Sequence, residues 1–161
     1  MKITVLTVGK IKEKYYTDAV KEYAKRLSRS CSLSIMEVPD EPAPEKAGQA
    51  EREQILGREA ERLLRVIDRY PHSHVIALAI EGDTFDSVAF SRHLTELQVR
   101  GASHFIFVIG GSLGLSGDIL RRADERISFS KMTFPHQLMR VILLEQIYRA
   151  LRIANNEPYH K

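Results

Sequence analysis

Two short stretches carry the residue types best suited to holding a ligand. From Phe105 to Leu120 the chain reads FIFVIGGSLGLSGDIL, a solid apolar run followed by Gly110, Gly111, Gly114 and Gly117. A glycine-rich turn between an apolar strand and a helix lets backbone approach a ligand closely. No Gly-Lys-Ser/Thr closes this one, and it is not G-x-G-x-x-G, so neither a triphosphate cradle nor a dinucleotide fingerprint is present. From Phe129 to Gln137 the chain reads FSKMTFPHQ, with Phe129, Met132 and Phe134 set between polar residues and Pro135 leading into a helical pattern. A loop this apolar either packs down as core or shapes a pocket for a partly apolar ligand such as an adenine ring. A third stretch, LAIEGD over Leu78–Asp83, ends another apolar run. A ligand with adenine, ribose and modest charge fits these three better than one with several phosphates.

The elements that must position these stretches alternate. Apolar runs at Ile3–Val8, Leu33–Val38, Val75–Ile80, His104–Ile109 and Ile127–Ser130 read as strands. Most are continuous rather than alternating, as in a parallel sheet covered on both faces. Helical spacing links Tyr16, Val20, Tyr23 and Leu27, then Leu56, Ala60, Leu63, Leu64 and Ile67, then Phe90, Leu94 and Leu97. Asp86 or Ser87 caps the third helix and Gly101 stops it; Ser116 caps a short helix through Ala123; Pro135 suits the first turn of a last helix running to about Ala154. Strand and helix thus alternate five times, which is an α/β open sheet with ligands expected beyond the carboxyl ends of the strands. Pro39–Gly48, rich in proline and acid, is the one obvious loop, and residues 1–161 read as a single domain.

Bulk properties narrow the partners. The 161 residues are 43% hydrophobic and 28% charged, ordinary for a globular chain, and the net charge of +3 leans mildly toward anionic partners. The opening MKITVLTVGK is too short and interrupted for a signal peptide or membrane helix, and Cys31 has no second cysteine to pair with, so a cytoplasmic protein without membrane contact is expected. His72 and His74 lack a surrounding Cys/His/Asp cluster and read as a solvated turn, with no metal expected. In LMRVILLEQIYRALRI apolar side chains cover most of the last helix's circumference, so that helix should be buried on more than one side. In so small a domain the second side is expected to face another copy, making a homodimer; a central core helix of a monomer is the alternative.

VIGGSLGLS, SFSKMTFPHQLMRVILLEQIYRA, the terminal PYHK and the opening MKITVLTVGKIKEKYY together closely resemble the family of ribosomal RNA large-subunit methyltransferase H, across the whole chain. The resemblance implies membership of the SPOUT superfamily: an open, mostly parallel sheet of five or six strands, helices on both faces, and a C-terminal trefoil knot. It further implies an S-adenosylmethionine-dependent enzyme that methylates N3 of a pseudouridine in 23S rRNA of the assembled ribosome. Carried over by position, Leu78, Gly110, Phe129, Ser130, Lys131, Met132, Thr133 and Phe134 would contact the cofactor. The knot contradicts the rule that chains avoid threading, and nothing in the local pattern reveals it.

An N3–H between two carbonyls must lose its proton before or during attack, so a general base or an anion-stabilising site is expected. Three groups compete. His136 stands in the first helical turn, where the helix dipole favours a neutral imidazole; Glu145 has Arg149 one turn on; His160 stands beside Tyr159 in the tail that matches the family's ending. Tyr159 and His160 are the favoured acceptor-site residues. RNA contacts are expected from Lys10, Lys12 and Lys14 with Tyr15 and Tyr16, from Arg149 and from Lys161, with Arg121, Arg122 and Arg126 as a further basic cluster; the acidic loop would repel RNA. A non-catalytic RNA- or ribosome-binding factor is the alternative; it would have no use for the glycine loop. A small nucleotide-dependent oxidoreductase is another, but Ser130 and Lys131 stand where its acid should be.

Overall fold

The computed structural model describes all residues from Met1 to Lys161. The elements run β1 (Lys2–Val8), α1 (Lys14–Leu27), β2 (Ser32–Val38), α2 (Gln49–Ile67), β3 (His74–Thr84), α3 (Ser87–Val99), β4 (His104–Ile109), α4 (Gly117–Arg122), β5 (Glu125–Ser128) and α5 (His136–Ala154). The strands form one all-parallel sheet in the order β2-β1-β4-β3-β5. The continuous apolar runs are the inner strands: every residue of β1 after Lys2 and of β4 after His104 is buried, because helices cover both faces. Edge strand β2 alternates instead, with Ser32, Ser34 and Glu37 exposed.

Two cores result. On one face Ile3, Val5, Phe105 and Phe107 pack with Val20 and Leu27 of α1, Phe90 and Leu94 of α3, and Leu143, Leu144 and Ile147 of α5. On the other, Leu6, Val8, Ile106 and Val108 pack with Ala60, Leu63 and Ile67 of α2 and Ile119 of α4. The expected caps are in place. The Asp86 carboxylate accepts from the Ala89 N–H (2.7 Å), and Ser116 Oγ accepts from the Ile119 N–H (3.4 Å). Pro135 is the residue before α5 rather than part of its first turn.

The carboxyl ends of two strands differ from expectation, and both differences shape the site. β5 stops at Ser128, two residues early, because Ser128 Oγ donates to the Ser130 carbonyl and folds the chain out of the sheet (3.0 Å). β3 runs on to Thr84 with an irregularity, and both Leu78 and Asp83 register with Ile127. The β3 chain therefore makes an excursion over residues 79–82 and returns to β5. At Gly82 the chains press together: a Cβ there would lie 2.7 Å from backbone atoms of Arg126 and Ile127, so only glycine fits. Such close wrapping of one strand about another is compatible with the threading that the resemblance implies.

His74 is not in a solvated turn. It opens β3 with its ring edge-on to Phe105, and its Nε2 lies 3.3 Å from Glu125 Oε1, while His93 Nε2 lies 2.7 Å from Glu125 Oε2. The last helix is apolar nearly all round chiefly because this one chain surrounds it: α5 packs against α1, α3 and the sheet. Leu138 and Ile142 stand outside both cores, one helical turn apart on a single face that continues through Glu145 and Arg149.

Candidate active site

In a parallel sheet all carboxyl ends point the same way, and here those of β3, β4 and β5 open into one cleft of about 790 Å³. The glycine loop forms one wall. The Gly114 N–H donates to the Gly111 carbonyl (3.0 Å), and Gly114 holds φ +81°, a left-handed turn suited to glycine. Gly110 lines the cleft, but its lack of a side chain has a nearer cause than ligand approach. A Cβ there would fall inside contact distance of the Gly114 carbonyl, so the loop's own fold demands the glycine.

The Phe129–Phe134 loop forms the opposite wall, and it is both of the things its sequence allowed. Phe129 packs edge-on to core Phe90 with centroids 6.2 Å apart, yet it also lines the cleft; Met132 is 75% exposed at the rim. Ser130 Oγ accepts from the Met132 N–H (2.9 Å), which sets the turn. Of the expected cofactor contacts, Leu78, Gly110, Phe129, Ser130, Met132, Thr133 and Phe134 all line the cleft. Lys131 does not: it is exposed and outside the lining.

His136, at the start of α5, lines the cleft floor beside Met139. Its Nδ1 is buried without a hydrogen-bond partner. Burial first and the Arg140 guanidinium second hold its pKa below the ordinary imidazole value; Asp40 opposes this and Lys12 adds to it. The imidazole is therefore neutral at neutral pH. Arg140 is 1% exposed; its guanidinium donates to Glu37 Oε2 and to the Gly9 carbonyl, each at 2.6 Å, tying α5 to the ends of β1 and β2. The Lys12 N–H donates to Gln137 Oε1 (3.0 Å), so the lysine-bearing β1–α1 loop lies against the same end of α5.

The other expected acceptor-site residues are elsewhere on the chain. Tyr159 Oη donates to Glu145 Oε1 (3.1 Å), its ring meets Tyr148 edge-on with centroids 4.8 Å apart, and Arg149 stacks over it at 4.7 Å. His160 Nδ1 lies 3.1 Å from Arg149 Nη1. Glu145 is nine residues past His136, roughly 13 Å along the helix axis, so this tail does not enter its own cleft. Arg149 is engaged by Glu145 (2.5 Å), Tyr159 and His160 and is not a free cation for phosphate. Lys161, Lys10 and Lys12 are exposed, and Lys14 is exposed but paired with Asp18 (2.8 Å). Tyr15, 64% exposed, tilts against Tyr16 beside these lysines. The acidic loop is less repulsive than its composition implies, since Arg58 and Arg62 both pair with Glu41.

Three residues escaped the sequence reading. Glu81 lines the cleft; it stood in view in LAIEGD, at the end of an apolar run. Arg140 gave no signal, because a basic residue in an apolar helix reads as solvent-facing. Glu59 is 5% exposed behind the glycine loop, where it accepts from the Glu41 N–H (3.0 Å); burial outweighs that bond and raises its pKa. Its position in a regular helical pattern concealed it.

Known proteins share this chain's whole length. The family described as "Predicted SPOUT methyltransferase" matches residues 1–160. The "Ribosomal RNA large subunit methyltransferase H" of Exiguobacterium sibiricum is 55% identical over 161 residues, covering 100% of both chains. The protein of the same name from Bifidobacterium adolescentis is 56% identical over 161 residues, again covering 100% of both. Among solved structures, "a probable methylase family protein" from Haemophilus influenzae superposes with a TM-score of 0.56 at 12% identity, covering 99% of this chain and 70% of that one, a likeness of fold alone. A cleft at the carboxyl ends of a wrapped parallel sheet, and a family match along nearly every residue, place this chain in the SPOUT methyltransferase family.

Proposed function

We propose that this chain uses S-adenosylmethionine to methylate N3 of a pseudouridine in 23S rRNA of the assembled ribosome, as a homodimer folded into one knotted α/β unit over residues 1–161. The observation that carries the reading is the composition of the cleft: apolar walls, two backbone-rich loops, no lysine or arginine, and a neutral imidazole at the floor. Such a site suits an adenine nucleoside of modest charge and offers nothing to hold a chain of phosphates. The full-length relatives named for large-subunit rRNA supply the substrate class.

When bound, S-adenosylmethionine supplies an electrophilic methyl group on a sulfonium. The chain's residues do the rest. Leu78, Phe129 and Phe134 flank the apolar ring, and the Gly110–Gly114 and Ser130–Thr133 backbones offer hydrogen bonds at its edge. His136, a neutral imidazole in the cleft lining, is the chain's own group to take the acceptor's N3 proton. Lys10, Lys12 and Lys14, exposed on and after the loop that Lys12 anchors to Gln137, meet phosphates, and Tyr15 offers a face to an unstacked base.

Tyr159 and His160 act on the acceptor in a second copy's cleft. Two facts support this: they are held in place against Glu145 and Arg149, and they lie too far along α5 to serve their own chain. Leu138 and Ile142 form the apolar part of the dimer face on the same side of that helix. The direct test is methyl incorporation from labelled S-adenosylmethionine into ribosomes that lack the modification, followed by mass spectrometry of 23S rRNA digests. Label on N3 of a single pseudouridine is expected. Label on another base, or none with assembled ribosomes, would overturn the proposal.

A further inference from the structure

Of the 22 residues lining the cleft, only Glu81 carries formal charge at neutral pH. The one other titratable group, His136, is kept neutral by its surroundings, and Lys131 is not among the lining residues. Glu81 is also unpaired: it takes part in none of the chain's ion pairs or side-chain hydrogen bonds, although Glu41, Glu125, Glu145 and Glu157 all do. It stands in the excursion of β3 between Leu78 and Asp83, so its backbone is held on either side by pairing to Ile127. Glu81 and Ile80 are both exposed while Leu78 is half-buried, which places the carboxylate at the mouth and the apolar wall deeper in. An adenine ring belongs at the apolar end, and the polar end of the same ligand then projects toward Glu81.

We propose that Glu81 is the recognition residue for the positively charged amino group of the cofactor's amino-acid portion. This rests on the S-adenosylmethionine reading of the cleft and deepens it. An unpaired carboxylate at the rim of a site without other charge attracts a cation and repels phosphates, which explains electrostatically why the cleft would reject adenine nucleotides. The ammonium is the partner rather than the ribose or the sulfonium, because Glu81 lies at the open end, where the ligand's terminal group must be.

Calorimetry with three ligands separates these possibilities. S-adenosylmethionine and S-adenosylhomocysteine both carry the ammonium; only the first carries the sulfonium; 5′-methylthioadenosine has the ribose and adenine but no amino acid. Glu81→Gln should weaken S-adenosylmethionine and S-adenosylhomocysteine alike by about tenfold, the range of a partly exposed charge-assisted bond, and leave 5′-methylthioadenosine within about twofold. Unchanged binding of 5′-methylthioadenosine also shows that the variant's cleft is folded. Raising salt should erode wild-type affinity for the first two ligands toward that of the variant. Loss confined to S-adenosylmethionine would make the sulfonium the partner, and equal loss of all three would make the ribose or the fold the cause; either result overturns the assignment, as does no change. If wild type binds none of the three, the cofactor reading itself fails, and the inference falls with it.

Discussion

Removal of Tyr159–Lys161 tests the composite site most sharply, and the structure alters what a terminal tripeptide would ordinarily do. A frayed end could be deleted at no cost. This tail is attached by the Tyr148–Tyr159 contact, the Arg149 stack, the bond to Glu145 and the Arg149–His160 contact. The ring pair and the stack are worth about 0.5–1.5 and 0.5–1 kcal/mol, and the half-buried bond to Glu145 adds about 0.5–1.5 kcal/mol. Ordering the backbone of the tail opposes this by about 1–2 kcal/mol per residue. Over three residues this cost offsets the contacts, so the truncation should shift Tm by no more than about 4 °C in either direction. Methyl transfer should fall by at least a hundredfold, equivalent to about 2.7 kcal/mol of transition-state positioning, with cofactor affinity unchanged. The decisive assay mixes this truncated chain with a Thr133→Trp chain, whose cleft is filled by the added indole but whose tail is intact. Random exchange makes about half of the dimers mixed, each with one complete site of two, so about a quarter of wild-type incorporation should return. Light scattering must show both variants as dimers. Two inactive dimers that remain inactive after exchange would refute tail donation between copies, and a truncated chain with normal activity would refute any acceptor role for the tail.

Gly110→Ala should cost stability, by about 2–3 kcal/mol in denaturant melts, as well as ligand affinity, because its Cβ collides with the Gly114 backbone; a variant neutral in both measurements would show that the turn relaxes freely. NMR titration should place His136 below the ordinary imidazole value of 6.5. Its contribution to stability is then intact above that value and is lost as pH falls from 6.5 toward the folded-state pKa, so His136→Gln should flatten the acid side of the stability profile; a His136 pKa above 6.5 reverses the sign. Glu59 titrates above 4.5 when folded, so its stabilising contribution is full below that value and is lost as pH rises through the folded pKa. Glu59→Gln, whose amide oxygen can still accept from the Glu41 N–H, should therefore gain stability relative to wild type between pH 4 and pH 8, and a relative loss over that interval would show that the ionised carboxylate is needed.

The alternation of strand and helix was legible because its causes are local. Solid apolar runs such as FIFVI can be buried on both faces only in an inner strand, and Asp86, Ser116 and Gly101 act on their own helices within a turn. The cleft-lining stretches were legible for a related reason: glycines and an apolar loop stand where strands end, and seven of the eight positions carried over from the family line one cleft. Lys131 was the exception, since the turn set by Ser130, not residue type, decides which side chains face inward. What depended on tertiary structure were relations between residues far apart in the chain. The spacing of Leu78 and Asp83 says nothing of their shared register with Ile127, or of the contact that makes Gly82 indispensable. Arg140 is buried because β1 and β2 end where their carbonyl and carboxylate can receive it, and Glu81 matters because no other charge reaches the cleft. Tyr159 and His160 follow His136 by little more than twenty residues, yet a straight helix carries them away from it. Burial, charge balance and reach are properties of the assembled fold, and sequence order does not encode them locally.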